Sequence, residues 1–258
     1  MTHWSTRSLA EIAIRRKIVP KIAHSTVSLI LRQADLQPHR SRYWKTPTLN
    51  EEFRQRAASI LWLYERAFEL AQRGELVICL DEKPNIQALE RKIYPMRAGQ
   101  IERQEFEYER HGTVNFLVEL IVPTGKMRGW CPEKNDSEHL CWVLPKLFRY
   151  HRSARRIHLI WDNGSSHISG DTRELLSAYY PWVRVLLTPP HASWLNQAEL
   201  LLRAFKARYL DRSSWESRDN LIGHLNVSWP EYNRLFAHPF TWSWTRYRMH
   251  EWMDKQLQ

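Results

Sequence analysis

Three acidic residues occupy positions where an α/β protein commonly gathers its functional groups. Asp81 is the last residue of a predicted apolar strand, and Asp162 directly follows another. Glu199 lies near the start of a predicted helix, beyond a third strand. Because ligands collect at the carboxyl ends of strands in open α/β sheets, we expect these three carboxylates to converge at one edge of a sheet.

Carboxylates in this arrangement favour metal chemistry. Their oxygens are natural ligands of Mg²⁺ and Mn²⁺. Two such ions, ~3.5–4 Å apart, can activate an attacking oxygen and stabilise a leaving oxygen on phosphorus. Each residue alone has a plainer interpretation, since an Asp at a strand end often only forms a turn and a Glu early in a helix offsets the helix dipole. The combination predicts a two-metal phosphoryl-transfer site.

The elements that would position this site alternate along the chain. A helix predicted from Leu49 to Arg73 comes first, because its apolar residues recur at helical spacing. Two of the strands form a hairpin through the turn at 123–125. A late helix, Ser217 to Phe236, is expected to kink or to divide into two pieces at Pro230. Strands are predicted at 76–81, 114–122, 126–130, 156–161 and 183–187, with helices at 137–150, about 171–179 and from 199 onward.

The composition limits the class of protein. A chain of 258 residues can form one large domain or two smaller ones. Its 38 Lys and Arg against 28 Asp and Glu give a net charge of +10, which suits a nucleic-acid partner but is also found in merely basic proteins. The three cysteines are too few and too scattered for a disulfide framework or a zinc site, so they suit a reducing cytoplasm. No apolar stretch approaches the ~20 residues of a membrane helix.

The first 46 residues predict a small helical module. A helix, an interruption at Pro20 and a second helix from Ser25 form the pattern of a helix-turn-helix, whose second helix would enter a DNA major groove. A generic helical hairpin has the same pattern. The next segment carries Arg40, Arg42 and Lys45, which can follow phosphates or simply keep a linker solvated. The candidate DNA contacts on the second helix are Ser25, Thr26, Ser28 and Arg32.

Several blocks of the sequence are similar to one family of enzymes. Pro190–Glu199 looks very much like the block that carries the final glutamate in transposases of the mariner superfamily. Asp162 is followed by Asn163, with His167 five positions beyond the aspartate. The bacterial insertion-sequence branch of that superfamily is the one that the runs 81–83, 87–92 and 103–113 resemble. The resemblance extends from about Thr2 to Tyr247.

This resemblance implies a DNA transposase with a ribonuclease H-like catalytic domain, in which a mixed five-stranded sheet is flanked by helices. Asp81, Asp162 and Glu199 would bind two Mg²⁺ ions, for which Mn²⁺ can substitute, and DNA would be cut and joined at transposon ends. The implied partners are double-stranded DNA, as terminal repeats and as target, and a second copy of the chain. The implied location is the bacterial cytoplasm, at the nucleoid. Residues expected to orient a carboxylate or contact a phosphate are Asn163, His167, His191 and Asn196.

The resemblance also implies a division into a helix-turn-helix module (1–46), a connecting helix (47–74) and a catalytic domain (75–250). The family usually has a further helical DNA-binding subdomain ahead of this module, whereas Met1 lies almost at its start, so a short or truncated variant is expected. Three alternatives are weighed. One is a metal-dependent nuclease of the same fold that cuts without joining, and another is a transposase-derived DNA-binding protein without catalysis. The third is a generic basic α/β protein in which the three carboxylates coincide by chance.

Overall fold

The computed structural model describes residues 4–34 and 48–256, and the chain divides into two compact units, Met1–Thr46 and Pro47–Gln258. In the first unit, α1 (Thr6–Arg15) contacts α2 (His24–Gln33). Ser5 caps α1 because its hydroxyl accepts from the Ser8 N–H at 3.1 Å, while the Ser8 hydroxyl accepts from the Ser5 N–H at 2.9 Å.

The second helix of this unit exposes more apolar surface than the sequence predicts. Val27 is buried, but Leu29 is 53 % exposed and Ile30 is 51 % exposed, because α1 covers only one side of α2. Among the predicted DNA contacts, Ser25, Thr26 and Arg32 are exposed and Ser28 is half-buried. The remaining three, Arg40, Arg42 and Lys45, lie outside the described residues.

The second unit is built on a mixed five-stranded sheet, which confirms the predicted fold class. Its strands are β1 (Glu75–Glu90), β4 (Glu109–Ile121), β5 (Lys126–Trp130), β6 (Arg156–Trp161) and β7 (Val183–Leu187). The spatial order is β5-β4-β1-β6-β7. β1 is antiparallel to β4 and parallel to β6, and β7 is parallel to β6. A separate two-stranded ladder of β2 (Ile93–Tyr94) and β3 (Arg103–Gln104) lies between β1 and β4 in sequence.

Helices cover both faces of this sheet. They are α3 (Glu51–Glu65), α4 (Ala67–Gln72), α5 (Ser137–Tyr150), α6 (Gly170–Ser177), α7 (Gln197–Tyr209), α8 (Arg218–Leu235) and α9 (Arg246–Gln256). One core joins α3, α7 and α8 to the face formed by Val77 and Cys79. The other joins α5 to the face formed by Ile78 and Leu80. Alternate residues of β1 therefore enter different cores, as expected of a strand buried on both faces.

Two elements differ from the sequence prediction. β1 does not end at Asp81 but continues to Glu90, because β4 pairs with it up to that residue, with irregularities between Lys83 and Ile86 and between Gln87 and Leu89. The helix predicted from Leu49 to Arg73 is divided into α3 and α4 at Arg66, where φ is −114°. The segment 47–74 packs into the first of the two cores.

The expected break at Pro230 does not divide α8, which spans Arg218–Leu235 with the proline inside. Leu225 and Tyr232, on either side of it, are buried in the core, so tertiary packing holds the helix together despite the missing N–H. Within the described residues, no helix is both long and apolar enough to cross a membrane.

Candidate active site

Asp81 lies on β1 just beyond the point where β6 stops pairing with it. The last β1–β6 pair joins Cys79 to Ile160. Two residues further along each strand are Asp81 and Asp162, so the register sets the two aspartates side by side. Both share a face with Cys79 and Ile160, which is the face that α7 covers. The topology therefore gathers the two aspartates beneath the helix that carries Glu199.

The ionisation of Asp81 reflects its acidic neighbours. Burial, then the negative charge of Glu82, and then those of Asp162 and Glu199 raise its pKa to about 7. The N–H of Glu82 donates to Asp81 Oδ1 at 3.0 Å and partly offsets this rise. A carboxyl group that is harder to ionise because other carboxylates surround it is well placed to receive a cation.

Asp162 is held by its own loop. The Gly164 N–H donates to Asp162 Oδ1 at 2.9 Å, and His167 Nδ1 lies 2.8 Å from the same oxygen. The hydrogen bond from His167 is the main cause that lowers the pKa of Asp162. A Cβ on residue 164 would lie 3.1 Å from Asp162 Oδ1 and 3.2 Å from His167 Nδ1, so glycine allows the loop to close this tightly.

Glu199 enters the site from the first turn of α7. Asn196 caps this helix, because its Oδ1 accepts from the Ala198 N–H at 3.1 Å. The Asn196 amide also donates to the Leu80 carbonyl at 2.7 Å, which ties the start of α7 to β1 beside Asp81. Asn196 was predicted to act near the carboxylates, and in the structure it anchors the helix that carries one of them.

His167 connects the two faces of the sheet at this end. It is 3 % exposed and its ring stacks on Trp161 with centroids 4.6 Å apart and planes 3° apart. Its Nδ1 faces Asp162 and its Nε2 lies 2.7 Å from Glu82 Oε1. Burial alone would lower the pKa of His167, but the hydrogen bonds to Asp162 and Glu82 raise it to about 10.

The partner of Glu82 differs from the sequence-based expectation. Its position after Asp81 predicts a side chain on the opposite face, paired with Lys83 or a core arginine. The side chain instead accepts from His167. Sequence reasoning missed this contact, and it missed Trp161 as the platform under the ring, because both depend on where the 162–167 loop turns back. The only available signal was a glutamate next to one aspartate and a histidine five residues after the other.

Asn163 and His191 were also predicted to assist the carboxylates, but within the described residues neither one forms a hydrogen bond to them. The Asn163 amide donates to the Thr188 carbonyl at 2.6 Å, and its Oδ1 accepts from Arg56 Nη1 at 3.3 Å. Asn163 therefore braces the ends of β6 and β7 and the adjoining helix α3. His191 is exposed in a turn at φ 62°, and within the described residues it makes no hydrogen bond to Asp81, Asp162 or Glu199.

One observation shows that the carboxylates suit a divalent cation. Glu199 Oε2 is buried, and no group in the described residues donates a hydrogen bond to it, a costly state that a cation would relieve.

A second acidic group lies away from this site. Glu90 and Glu109 are opposite each other on β1 and β4, and His111 Nε2 is 2.8 Å from Glu90 Oε2. Their ligand atoms lie within 4.8 Å of one another. Glu109 is exposed and the other two are half-buried, so solvent and the Glu90–His111 pair already satisfy these groups.

The sheet order, the helices on both faces and the acidic centre at the strand ends define a ribonuclease H-like protein. The model of one family, DDE superfamily endonuclease, matches residues 76–222, which is more than half of the chain. The chain belongs to this family. No curated protein matches the sequence significantly.

Solved structures of one transposase share the fold. The mariner Mos1 paired-end complex with Mg is 19% identical, with a TM-score of 0.59, and the match covers 99% of this chain and 75% of that chain. The Mos1 strand transfer complex is 18% identical, with a TM-score of 0.58, covering 98% and 71%. The Mos1 complex with the left transposon end is 19% identical, with a TM-score of 0.57, covering 96% and 72%. At this identity the likeness establishes the ribonuclease H-like fold.

Proposed function

We propose that the chain is a DNA transposase of the bacterial insertion-sequence branch of the mariner superfamily, which cuts DNA at transposon ends and joins the ends to target DNA. One observation carries the proposal. Asp81 on β1, Asp162 just beyond β6 and Glu199 in the first turn of α7 are brought together at one end of the sheet. Burial and Glu82, and to a smaller extent Asp162 and Glu199, raise the pKa of Asp81 to about 7. The DDE endonuclease family and the Mos1 fold support the same activity.

Asp81, Asp162 and Glu199 would hold two Mg²⁺ ions, which when bound supply activation of an attacking oxygen and stabilisation of a leaving oxygen on phosphorus. Mn²⁺ is expected to substitute, and structures of Mos1 are of complexes with Mg and with Mn. Asp81 is the natural shared ligand, because both of the other carboxylates are near enough to contribute to the rise in its pKa. Asn196 keeps Glu199 in place through its bond to β1, and His167 fixes Asp162.

The proposed partner is double-stranded DNA, bound as transposon ends and as target by two copies of the chain in the bacterial cytoplasm. The net charge of +10 supports a polyanionic partner. The Mos1 structures include a complex with the left transposon end and a strand transfer complex. In the first unit, Ser25, Thr26 and Arg32 are exposed on α2, as residues that meet DNA must be, and Arg40, Arg42 and Lys45 are proposed to contact phosphates.

The activity is tested with DNA fragments from either side of the reading frame, since these would contain the ends. With Mg²⁺, the protein should cut these fragments and join pre-cut ends to a plasmid. Asp81→Ala, Asp162→Ala and Glu199→Ala should each reduce both reactions to background without unfolding the protein. Glu174→Ala, at an exposed carboxylate on α6, is the matched control and should remain active. Full activity of Asp162→Ala would contradict the site.

The same assay separates the alternatives. Cutting without joining would identify a nuclease of the same fold, and binding of DNA without either reaction would identify a non-catalytic descendant of a transposase.

The role of the first unit is tested by a chain that begins at residue 49. It should lose most sequence-specific affinity for the ends, and its binding should depend less steeply on salt, because fewer phosphates are neutralised. Circular dichroism should show a folded remainder, as expected of a separate compact unit. Unchanged affinity and an unchanged salt slope would exclude residues 1–48 as the part that recognises DNA.

A further inference from the structure

A chain of three side chains crosses the end of the sheet at the site. Glu82 lies on the α5 face, the face opposite to that of Asp81, and Asp162 lies on the α7 face. His167 joins them, with Nε2 at 2.7 Å from Glu82 Oε1 and Nδ1 at 2.8 Å from Asp162 Oδ1. Nδ1 also lies 3.1 Å from the Asp162 carbonyl oxygen. Both ring nitrogens are thus directed at acceptors of known position.

The ring of His167 has little freedom to leave this position. It stacks on Trp161, which is fully buried, with nearly parallel planes. Its own N–H donates to the Gly164 carbonyl at 3.0 Å. Glu82 holds the far nitrogen, and its side chain is 13% exposed. A ring fixed by stacking, by its backbone and by a hydrogen bond at Nε2 can only present Nδ1 to Asp162.

The fixed position of His167 restricts the orientation of the Asp162 carboxylate. Oδ1 accepts hydrogen bonds from both the Gly164 N–H and His167. Among the described residues no group donates to Oδ2, which is left as the free oxygen. A carboxylate that is held by one oxygen in this way can offer a cation the other oxygen but resists rotating to offer both.

We propose that Glu82 and His167 are positioning residues that make Asp162 a one-oxygen ligand, and that they thereby favour small octahedral ions over Ca²⁺. The proposal rests on the proposed metal-binding role of Asp162. Mg²⁺ requires near-octahedral coordination, whereas Ca²⁺ accepts six to eight oxygens and often takes both oxygens of one carboxylate. Mn²⁺ also suits an octahedral set of oxygens. Holding Asp162 Oδ1 away from the ion removes the coordination mode that only the larger ion uses well.

Two substitutions of His167 separate the contribution of Nδ1, which faces Asp162, from that of Nε2, which faces Glu82. His167→Asn keeps an N–H donor near the position of Nδ1, so the hydrogen bond to Asp162 can persist. His167→Gln places its donor near the position of Nε2, so it can reach Glu82 but leaves Asp162 Oδ1 free to turn. Both variants lose the stacking on Trp161, so a purely structural role predicts the same outcome for both.

A third variant tests the geometry without changing the histidine. In Gly164→Ala the new Cβ would lie beside this hydrogen bond, 3.1 Å from Asp162 Oδ1 and 3.2 Å from His167 Nδ1, so one or both of these atoms must shift and the geometry of the bond must change. His158→Gln is the matched control. His158 Nε2 bonds to Glu75 at 2.8 Å on the same two strands, β6 and β1, but at their opposite ends, so the same His→Gln replacement there changes a buried histidine without touching the site.

The experiment measures Mn²⁺ binding to the full-length protein by electron paramagnetic resonance, with Ca²⁺ as competitor. Loss of a residue that orients a metal ligand typically lowers metal affinity by about 10–100-fold. In His167→Gln and Gly164→Ala this loss should fall mainly on Mn²⁺, so the preference for Mn²⁺ over Ca²⁺ should decrease. It should stay close to the wild-type value in His167→Asn and His158→Gln. Thermal unfolding of each variant confirms that it is folded.

Asp162→Asn distinguishes failure of this proposal from failure of the proposed function. If Mn²⁺ binding persists unchanged in Asp162→Asn, the metal site itself is wrong. If Asp162→Asn abolishes binding but His167→Gln and Gly164→Ala keep the wild-type preference, the positioning role is overturned. Equal loss of preference in His167→Asn and His167→Gln would also overturn it, because the hydrogen bond to Asp162 would then not be the cause.

Discussion

At the scale of single residues, the structure links the charge of the site to the stability of the protein. Asp81 has a pKa raised to about 7 by burial and by the carboxylates around it, compared with ~3.9 for a free aspartate. The folded metal-free protein therefore holds this proton more tightly than the unfolded chain does. The resulting stability is fully present below pH ~3.9 and is lost as the pH rises through about 7.

We therefore expect Asp81→Asn to be more stable than the wild type at pH 8 in the absence of divalent ions. The difference should be a few kcal/mol, since one pKa unit corresponds to about 1.4 kcal/mol, and it should nearly vanish at pH 4. Urea denaturation in EDTA across this pH range measures it. Excess Mg²⁺ should reverse the order at pH 8, because only the wild-type site retains the ligand.

A difference between Asp81→Asn and the wild type that is constant from pH 4 to pH 8 would contradict this interpretation. Asp171→Asn provides the control. Asp171 is an exposed residue in the first turn of α6, so its substitution should leave the pH dependence of stability unchanged.

The residue types of the site could be predicted from the sequence, but their contacts could not. The spacing of Asp81, Asp162 and Glu199 with respect to predicted strands was enough to nominate them, and their role as ligands stays a prediction. The pairing of Glu82 with His167 depends on a loop that crosses from one face of the sheet to the other. No periodicity in the sequence encodes such a crossing.

At the scale of elements, the hairpin of β4 and β5 depends on one glycine. Gly125 has φ +67°, and a Cβ there would lie 1.8 Å from the carbonyl oxygen of His238. The obstacle is backbone, so either the turn or the segment around His238 must move. The turn at 123–125 was predicted from its proline and glycine, whereas its contact with a segment more than a hundred residues away was not.

Gly125→Ala should destabilise the protein through two separate costs. The left-handed backbone costs about 1–2 kcal/mol for a residue with a Cβ, and the clash adds about 1–3 kcal/mol of overpacking. Gly99→Ala is the control, because Gly99 has φ +76° with nothing within 4 Å of its Cβ position. Urea titrations measure the free energy of unfolding of Gly125→Ala and of Gly99→Ala. If the two variants lose the same amount of this free energy, the contact with His238 is unimportant.

Most strands were predictable because each is a short apolar run between turn residues, and the hairpin followed by alternating strands and helices indicated the fold class. The errors have physical causes. The extension of β1 beyond Asp81 contains Pro84 and polar residues, and contacts that the sequence does not show, pairing with β4 and a hydrogen bond from the Trp215 N–H to the Leu89 carbonyl, hold it in place. The β2–β3 ladder consists of two-residue strands, too short to leave a pattern.

At the scale of the whole molecule, excess positive charge accompanies a site made of carboxylates. Lys and Arg exceed Asp and Glu by enough to give +10 overall, while Asp81, Asp162 and Glu199 concentrate negative charge at one end of the sheet. Such a distribution suits a protein whose polyanionic partner must approach a site that would repel it. A cation held by the carboxylates reverses the local charge, so binding of metal and binding of DNA should reinforce each other.

This coupling makes the choice of cation a test of catalysis. Mg²⁺ and Mn²⁺ should support cutting of end-containing DNA, because two-metal transfer requires ions held close together with the attacking oxygen in line. Ca²⁺ should support DNA binding at the site without cutting, since its larger and looser shell neutralises charge but misplaces the reactants. A gel assay with each ion in turn measures both binding and nicking.

Asp162→Ala should lose the effect of every ion on DNA binding, whereas the control variant Glu174→Ala should keep this effect. Equal DNA binding with all three ions and no nicking with any would favour a DNA-binding protein without catalysis over a transposase.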